Sequence, residues 1–147
     1  MTQAQSPVDL ELAARLRLAI TRTARRMRQQ AGADLGPSQV TALATVERHG
    51  PLAPSELASV ERIRRPTVTR IVARLAEAGL VERTADPDDG RGALVSITAE
   101  GRALLKRLRQ RKTAYLAQHL GDLDPEDAAA LERTAEVLER MLEDEAS

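Results

Sequence analysis

Apolar side chains recur every three or four residues along most of this chain. Leu12, Leu16, Ile20, Ala24 and Met27 place one stripe on a long helix running from Val8 to about Ala31, which Gly32 ends. A second helix opens with Gly36 at its cap and Pro37 in its first turn. It buries Val40, Leu43 and Val46, and Gly50-Pro51 stops it. Leu52-Ala53 suits a short strand. Pro54 opens a third helix with Leu57, Ala58 and Val60 inward, and Pro66 a fourth with Val68, Ile71, Val72 and Leu75 inward. The period then changes. Leu80 to Ala85 and Ala93 to Ile97 read as two strands, and between them Asp86-Pro-Asp-Asp-Gly-Arg-Gly92 is dense in turn formers, which predicts a hairpin with a long charged tip. Thr98 caps a fifth helix that carries Leu104, Leu105, Leu108, Tyr115, Leu116 and Leu120. Asp124-Pro125-Glu126-Asp127 announces a sixth, with a stripe of Leu131, Ala135, Leu138, Met141 and Leu142.

The predicted fold is therefore mainly α with a small β-hairpin wing. Residues 37–97 form a winged helix-turn-helix, and N- and C-terminal helices over 8–32 and 99–145 flank it within a single domain, 1–147. The flanking helices carry apolar stripes with nothing to cover them in so short a chain. Leu12, Leu16, Leu116, Leu120, Leu131, Leu138, Met141 and Leu142 are thus expected in a homodimer interface where the ends of two copies interleave.

Composition narrows the class. Of the 147 residues 42% are hydrophobic and 30% charged, which suits a soluble, folded chain rather than a disordered one. Tyr115 is the one aromatic, so the core is aliphatic, and the stacking platforms of single-strand binders are missing. With zero cysteines there is no disulfide, thiolate metal site or thiol switch. No run approaches a membrane span and the N-terminus does not read as a signal peptide, so the expected location is the cytoplasm.

The formal net charge is zero, yet its distribution is uneven. Residues 15–28 hold six arginines and no acid, residues 102–112 hold six Lys/Arg and no acid, and residues 117–147 hold ten Asp/Glu against Arg133 and Arg140. These runs either solvate helix faces or mark basic and acidic docking faces.

Five arginines and no acid lie between Arg62 and Arg74. In a helix-turn-helix the second helix enters the major groove of duplex DNA and presents its N-terminal residues to base edges. Here that helix shows Thr67, Thr69, Arg70 and Arg74 away from its inward residues. Arginine can bridge guanine, and threonine can bond a base edge or touch a thymine methyl. Thr67, Thr69 and Arg70 are the base-reading candidates, and Arg74 a phosphate contact. Arg64 and Arg65 precede Pro66 in place of a capping side chain, so open N–H groups and two guanidinium groups favour an anion there. On the hairpin tip, Arg91 between Gly90 and Gly92 can reach a minor groove, with Asp89 bonded to its guanidinium.

Ser55-Glu-Leu-Ala, Pro66-Thr-Val-Thr-Arg-Ile-Val, Leu75-Ala-Glu-Ala-Gly-Leu-Val-Glu-Arg83, Asp86-Pro-Asp-Asp-Gly-Arg and Leu94-Val-Ser-Ile-Thr-Ala-Glu-Gly101 together resemble the MarR family of bacterial transcriptional regulators. The resemblance runs the length of the chain. It implies a triangular homodimer held by its terminal helices, with two winged-helix lobes on a pseudo-palindromic operator. It also implies a repressor's role and, often, a small-molecule effector that lowers DNA affinity. Two positions depart from the family pattern. The joint of the helix-turn-helix reads Glu61-Arg-Ile-Arg64 where a glycine is common, which leaves open a tighter turn or a longer third helix. The wing has Gly90 where a first arginine often precedes the second.

By the same resemblance an effector would lie between the terminal helices and the DNA-binding lobe. Arg17, Ile20, Met27, Arg48, His49 and Tyr115 are candidates, although residues of these types in such places more often serve as packing or surface residues. Two histidines without cysteine or an acidic cluster give no metal site, and no cofactor is expected. No nucleophile–base set, catalytic carboxylate pair or phosphate-cradling glycine loop is present, so the chain does not read as an enzyme. The competing readings are a winged-helix architectural DNA protein and a protein-interaction module. The second predicts acidic or apolar residues over 64–74, where arginines stand.

Overall fold

The computed structural model of the chain describes residues 7–32, 34–88, 90 and 92–146. Its elements follow in the order α1 (Pro7–Ala31), α2 (Pro37–His49), α3 (Pro54–Glu61), α4 (Arg65–Glu77), β1 (Val81–Ala85), β2 (Ala93–Ile97), α5 (Ala99–Leu120) and α6 (Pro125–Ala146). The chain divides into two compact units, Met1–Lys112 and Thr113–Ser147.

In the first unit the core is aliphatic. Leu43 and Val46 of α2, Leu57 of α3, Val68, Val72 and Leu75 of α4, Val95 of β2 and Leu105 of α5 are fully buried. Full burial of each such side chain is worth roughly 1.5–3 kcal/mol, so this cluster is the main source of the lobe's stability. β1 and β2 pair antiparallel, with Val81 opposite Ile97 and Ala85 opposite Ala93. Leu52 forms an isolated bridge to Val95, with its N–H donating to the Val95 carbonyl at 3.1 Å and the reverse bond at 2.8 Å. The short strand expected at Leu52-Ala53 is thus reduced to one bridged residue.

Two helix ends carry the same turn with different residues. At the end of α4 the Leu80 N–H donates to the Leu75 carbonyl at 2.9 Å, and Gly79 supplies the positive φ of 75° that this geometry requires. At the end of α3 the Ile63 N–H donates to the Ala58 carbonyl at 3.1 Å, but the left-handed residue is Arg62, with φ 54° and ψ 43°. The glycine-free joint therefore neither tightens nor extends α3. An arginine adopts the backbone that glycine favours, and Ile63 behind it packs on the core.

Thr98 ties the hairpin to α5. Its Oγ1 accepts the Gly101 N–H at 3.1 Å, as an N-cap, and donates to the Gly79 carbonyl at 2.7 Å. Farther along α5, Arg109 bonds Glu47 of α2 at 2.9 Å, and Arg111 bonds the carbonyl of Ala31 at 2.8 Å.

In the second unit, α5 ends at Leu120 and α6 begins after the Asp124 cap, whose Oδ1 accepts the Asp127 N–H at 2.8 Å. Tyr115 and His119 meet edge to face with ring centroids 4.6 Å apart. α6 has no fully buried residue. No helix is long and apolar enough to cross a membrane among the described residues.

Candidate nucleic-acid interface

α4 is the most clearly two-faced short helix of the lobe. With about 100° of rotation per residue, Val68, Ile71, Val72 and Leu75 fall on one side, and all four are buried. Pro66, Arg70 and Ala73 fall opposite them and are exposed. Thr69 lies on one flank, exposed. Thr67, half-buried, and Arg74, exposed, lie on the other. The helix start is open as expected. Arg64 stands at the N-cap with extended backbone and no side-chain bond to the first turn. Arg64 and Arg65 are exposed beside it.

The Thr69 hydroxyl donates to the Arg65 carbonyl at 3.0 Å. What Thr69 can still offer a base is its methyl group and oxygen lone pairs, which suits a thymine methyl or an amino group rather than an acceptor. Arg70 and Arg74 have no carboxylate within ion-pair distance among the described residues. An unpaired guanidinium on the outward face of a helix is available to a base or a phosphate.

The wing rises next to this helix in sequence. The Asp86 N–H donates to the Gly92 carbonyl at 3.1 Å and closes the hairpin, and Asp86 Oδ1 accepts the Asp88 N–H at 2.9 Å within the tip. Asp89 and Arg91, expected to form the wing's DNA contact, lie outside the described residues.

A family model for the MarR family matches residues 35–92, from just before α2 through β1 to the hairpin turn. An HTH-type transcriptional regulator of Mycobacterium bovis is 34% identical over 92% of this chain and 96% of its own length. The multiple antibiotic resistance protein MarR of Salmonella typhimurium is 33% identical over 67% of this chain and 69% of its own. Among solved structures, a transcriptional regulator of Pseudomonas aeruginosa superimposes with a TM-score of 0.84 at 34% identity, covering 94% of this chain and 98% of that one. The chain belongs to the MarR family. It is a DNA-binding transcriptional regulator with a winged helix fold, and not an enzyme.

Within this MarR-family chain the residues expected to bind an effector are dispersed. A cavity of about 350 Å³ opens between the second half of α1, the first turn of α2 and α5, lined by Met27, Leu35, Val40 and Leu108 with Arg28 and Lys112 at its polar side. Met27 is the one candidate among its lining residues. Arg17 and Ile20 sit on the exposed part of α1, one turn or more before it. Arg48 and His49 are exposed at the end of α2, and Tyr115 is engaged with His119. Sequence reasoning missed Arg28, Leu35, Val40, Leu108 and Lys112. They come from the end of α1, the loop after it, the start of α2 and, far along the chain, α5, and only the stripe phase of α1 hinted at the place.

The residues expected in a dimer interface are largely uncovered. Leu12, Leu16, Leu120, Leu131, Met141 and Leu142 are exposed, Leu142 by 67%, while Leu116 and Leu138 are half-buried.

Proposed function

We propose that this protein is a cytoplasmic homodimeric repressor that binds a pseudo-palindromic operator and is released from it by a small-molecule effector. The observation that carries the reading is the two-sided order of α4. Its aliphatic side closes the core while Arg70, Arg74 and Thr69 stand outward. In this reading Arg70, Thr67 and Thr69 read base edges, Arg64, Arg65 and Arg74 hold phosphates, and Arg91, oriented by Asp89, enters the minor groove. Pro66 fixes the start of the helix that does so.

Support for the homodimer comes from α1 and α6. Each leaves an apolar row exposed, and their charges oppose. α1 has six arginines against Asp9 and Glu11, and α6 has eight acids against Arg133 and Arg140. Apolar faces with opposite charges on their flanks suit α1 of one copy against α6 of another. Repression by occlusion asks only that a promoter be occupied, which a dimer on its operator does by itself. For the effector, the cavity beside Met27 offers aliphatic walls with Arg28 and Lys112, which suits an apolar body bearing a negative charge.

Footprinting on operator-bearing DNA tests the reading. A regulator protects one short inverted repeat over bulk DNA. Uniform protection at all sequences would mean an architectural protein, and none at all an interaction module.

A further inference from the structure

The outward flank of α4 does not stand alone. A groove of about 300 Å³ separates it from the first turn of α2, lined by Ser38, Gln39, Thr67, Arg70, Ile71 and Arg74. Two guanidinium groups border this groove, and no carboxylate lines it. Like charges so placed repel unless an anion lies between them. The Gln39 Oε1 accepts the Gly36 N–H at 3.1 Å, which orients its amide and leaves the two Nε2 hydrogens as donors. The Ser38 hydroxyl is uncommitted. Thr41 and Thr69 donate their hydroxyls to carbonyls four residues back, at 2.9 and 3.0 Å, whereas the Ser38 hydroxyl has no partner among the described residues.

We propose that this groove seats one backbone phosphate of the operator, held by the Arg74 guanidinium and the Ser38 hydroxyl. α2 would then contribute a DNA contact from outside the helix-turn-helix and wing. A phosphodiester oxygen accepts from both donors, and a guanidinium offers it two parallel N–H groups. Arg70, nearer the centre of the outward face, borders the groove and keeps its place against a base. The inference rests on α4 lying along duplex DNA, as proposed above.

The full-length protein and its selected operator provide the test, with Ser38→Ala, Ser38→Glu, Arg74→Ala and the Ser38/Arg74 double alanine variant. Glutamate in a helix's first turn suits its dipole, so Ser38→Glu should fold normally, as circular dichroism will verify. Ser38→Ala should weaken binding about tenfold on operator and random duplex alike. Ser38→Glu should weaken it more, through repulsion of the phosphate. Arg74→Ala should lower the slope of log affinity against log salt by about one per lobe, hence about two for the dimer. The double variant should lose less than the sum of its parts, because both donors serve one phosphate. Inorganic phosphate at matched ionic strength should not displace the DNA. Wild-type affinity for Ser38→Glu, or a changed base preference for Ser38→Ala, would overturn the assignment. So would displacement by phosphate that Arg74→Ala abolishes, since the groove would then hold a free anion. If the wild-type protein bound no duplex at all, the regulator reading would fall together with this one.

Discussion

Arg111 donates its Nη1 hydrogen to the carbonyl oxygen of Ala31 across 2.8 Å, joining residues 80 apart in the chain. Ala31 ends α1, and its carbonyl is one of the acceptors that a helix terminus leaves without an intrahelical partner. α5 therefore closes α1 with a charged donor, beside the cavity that Met27 lines. Arg111→Ala should cost about 1–2 kcal/mol in urea unfolding, since a charge-assisted bond goes and the carbonyl of a buried residue loses its partner. Arg111→Lys should recover part of that. A stability unchanged in both variants would mean that water replaces the guanidinium at no cost.

Arg62 holds a backbone that favours glycine, so its replacements should rank in an unusual order. Arg62→Gly and Arg62→Ala both remove the guanidinium, and they differ in left-handed strain. The glycine variant should be the more stable of the two by about 1 kcal/mol, a gap visible as a difference of several degrees in melting temperature. Equal stabilities would contradict the left-handed joint. Affinity for DNA should fall alike in both, because each loses one positive charge.

Gly101 sits where α5 starts against the foot of the wing. A Cβ there would meet the Leu80 carbonyl oxygen and lie 2.7 Å from Ile97 Cγ1. The carbonyl is backbone and Ile97 belongs to β2, so neither yields easily. Gly101→Ala should destabilise the protein by about 1–3 kcal/mol, as overpacking does. Because β2 and α5 must part to make room, the hairpin amides should also lose hydrogen-exchange protection. Wild-type melting and exchange would show that the helix start shifts freely.

The sequence was most informative where one residue type has one structural use. Thr98 and Asp124 read as helix caps, and both bond the first turn of the helix they precede. Pro37, Pro54 and Pro125 open helices, and the change of period at Leu80 marks the start of the hairpin. The inward row of α4 followed from its spacing, which also fixed which residues face outward. The joint at Arg62 was less legible, because its backbone is imposed by Ile63 packing behind it rather than by the arginine's own preference. The cavity beside Met27 and the groove beside Ser38 were not legible at all. Each joins helices that are neighbours only after folding, and periodicity says which face is apolar without saying what will meet it.

α6 has no fully buried residue, although its apolar row is as regular as that of α4. If a second copy covers that row, deleting residues 124–147 should give monomer or aggregate in sedimentation. Operator affinity should then fall by orders of magnitude, because two lobes on one dimer gain from effective concentration. A milder variant, Leu131→Glu with Leu138→Glu, should act in the same direction while leaving the lobe's circular dichroism intact. A truncated protein that remains a soluble dimer would place the interface elsewhere.

The most direct test is the selection of bound sequences from random duplex DNA by the purified protein and by its Arg70→Ala and Arg74→Ala variants. Wild type should enrich one inverted repeat with half-sites about one helical turn apart. Arg70→Ala should cost about 1–3 kcal/mol and relax preference at one position in each half-site. Arg74→Ala should weaken binding without altering the motif. No enriched motif from wild type, or the same motif from Arg70→Ala at undiminished affinity, would contradict the account of α4 as the helix that reads the operator.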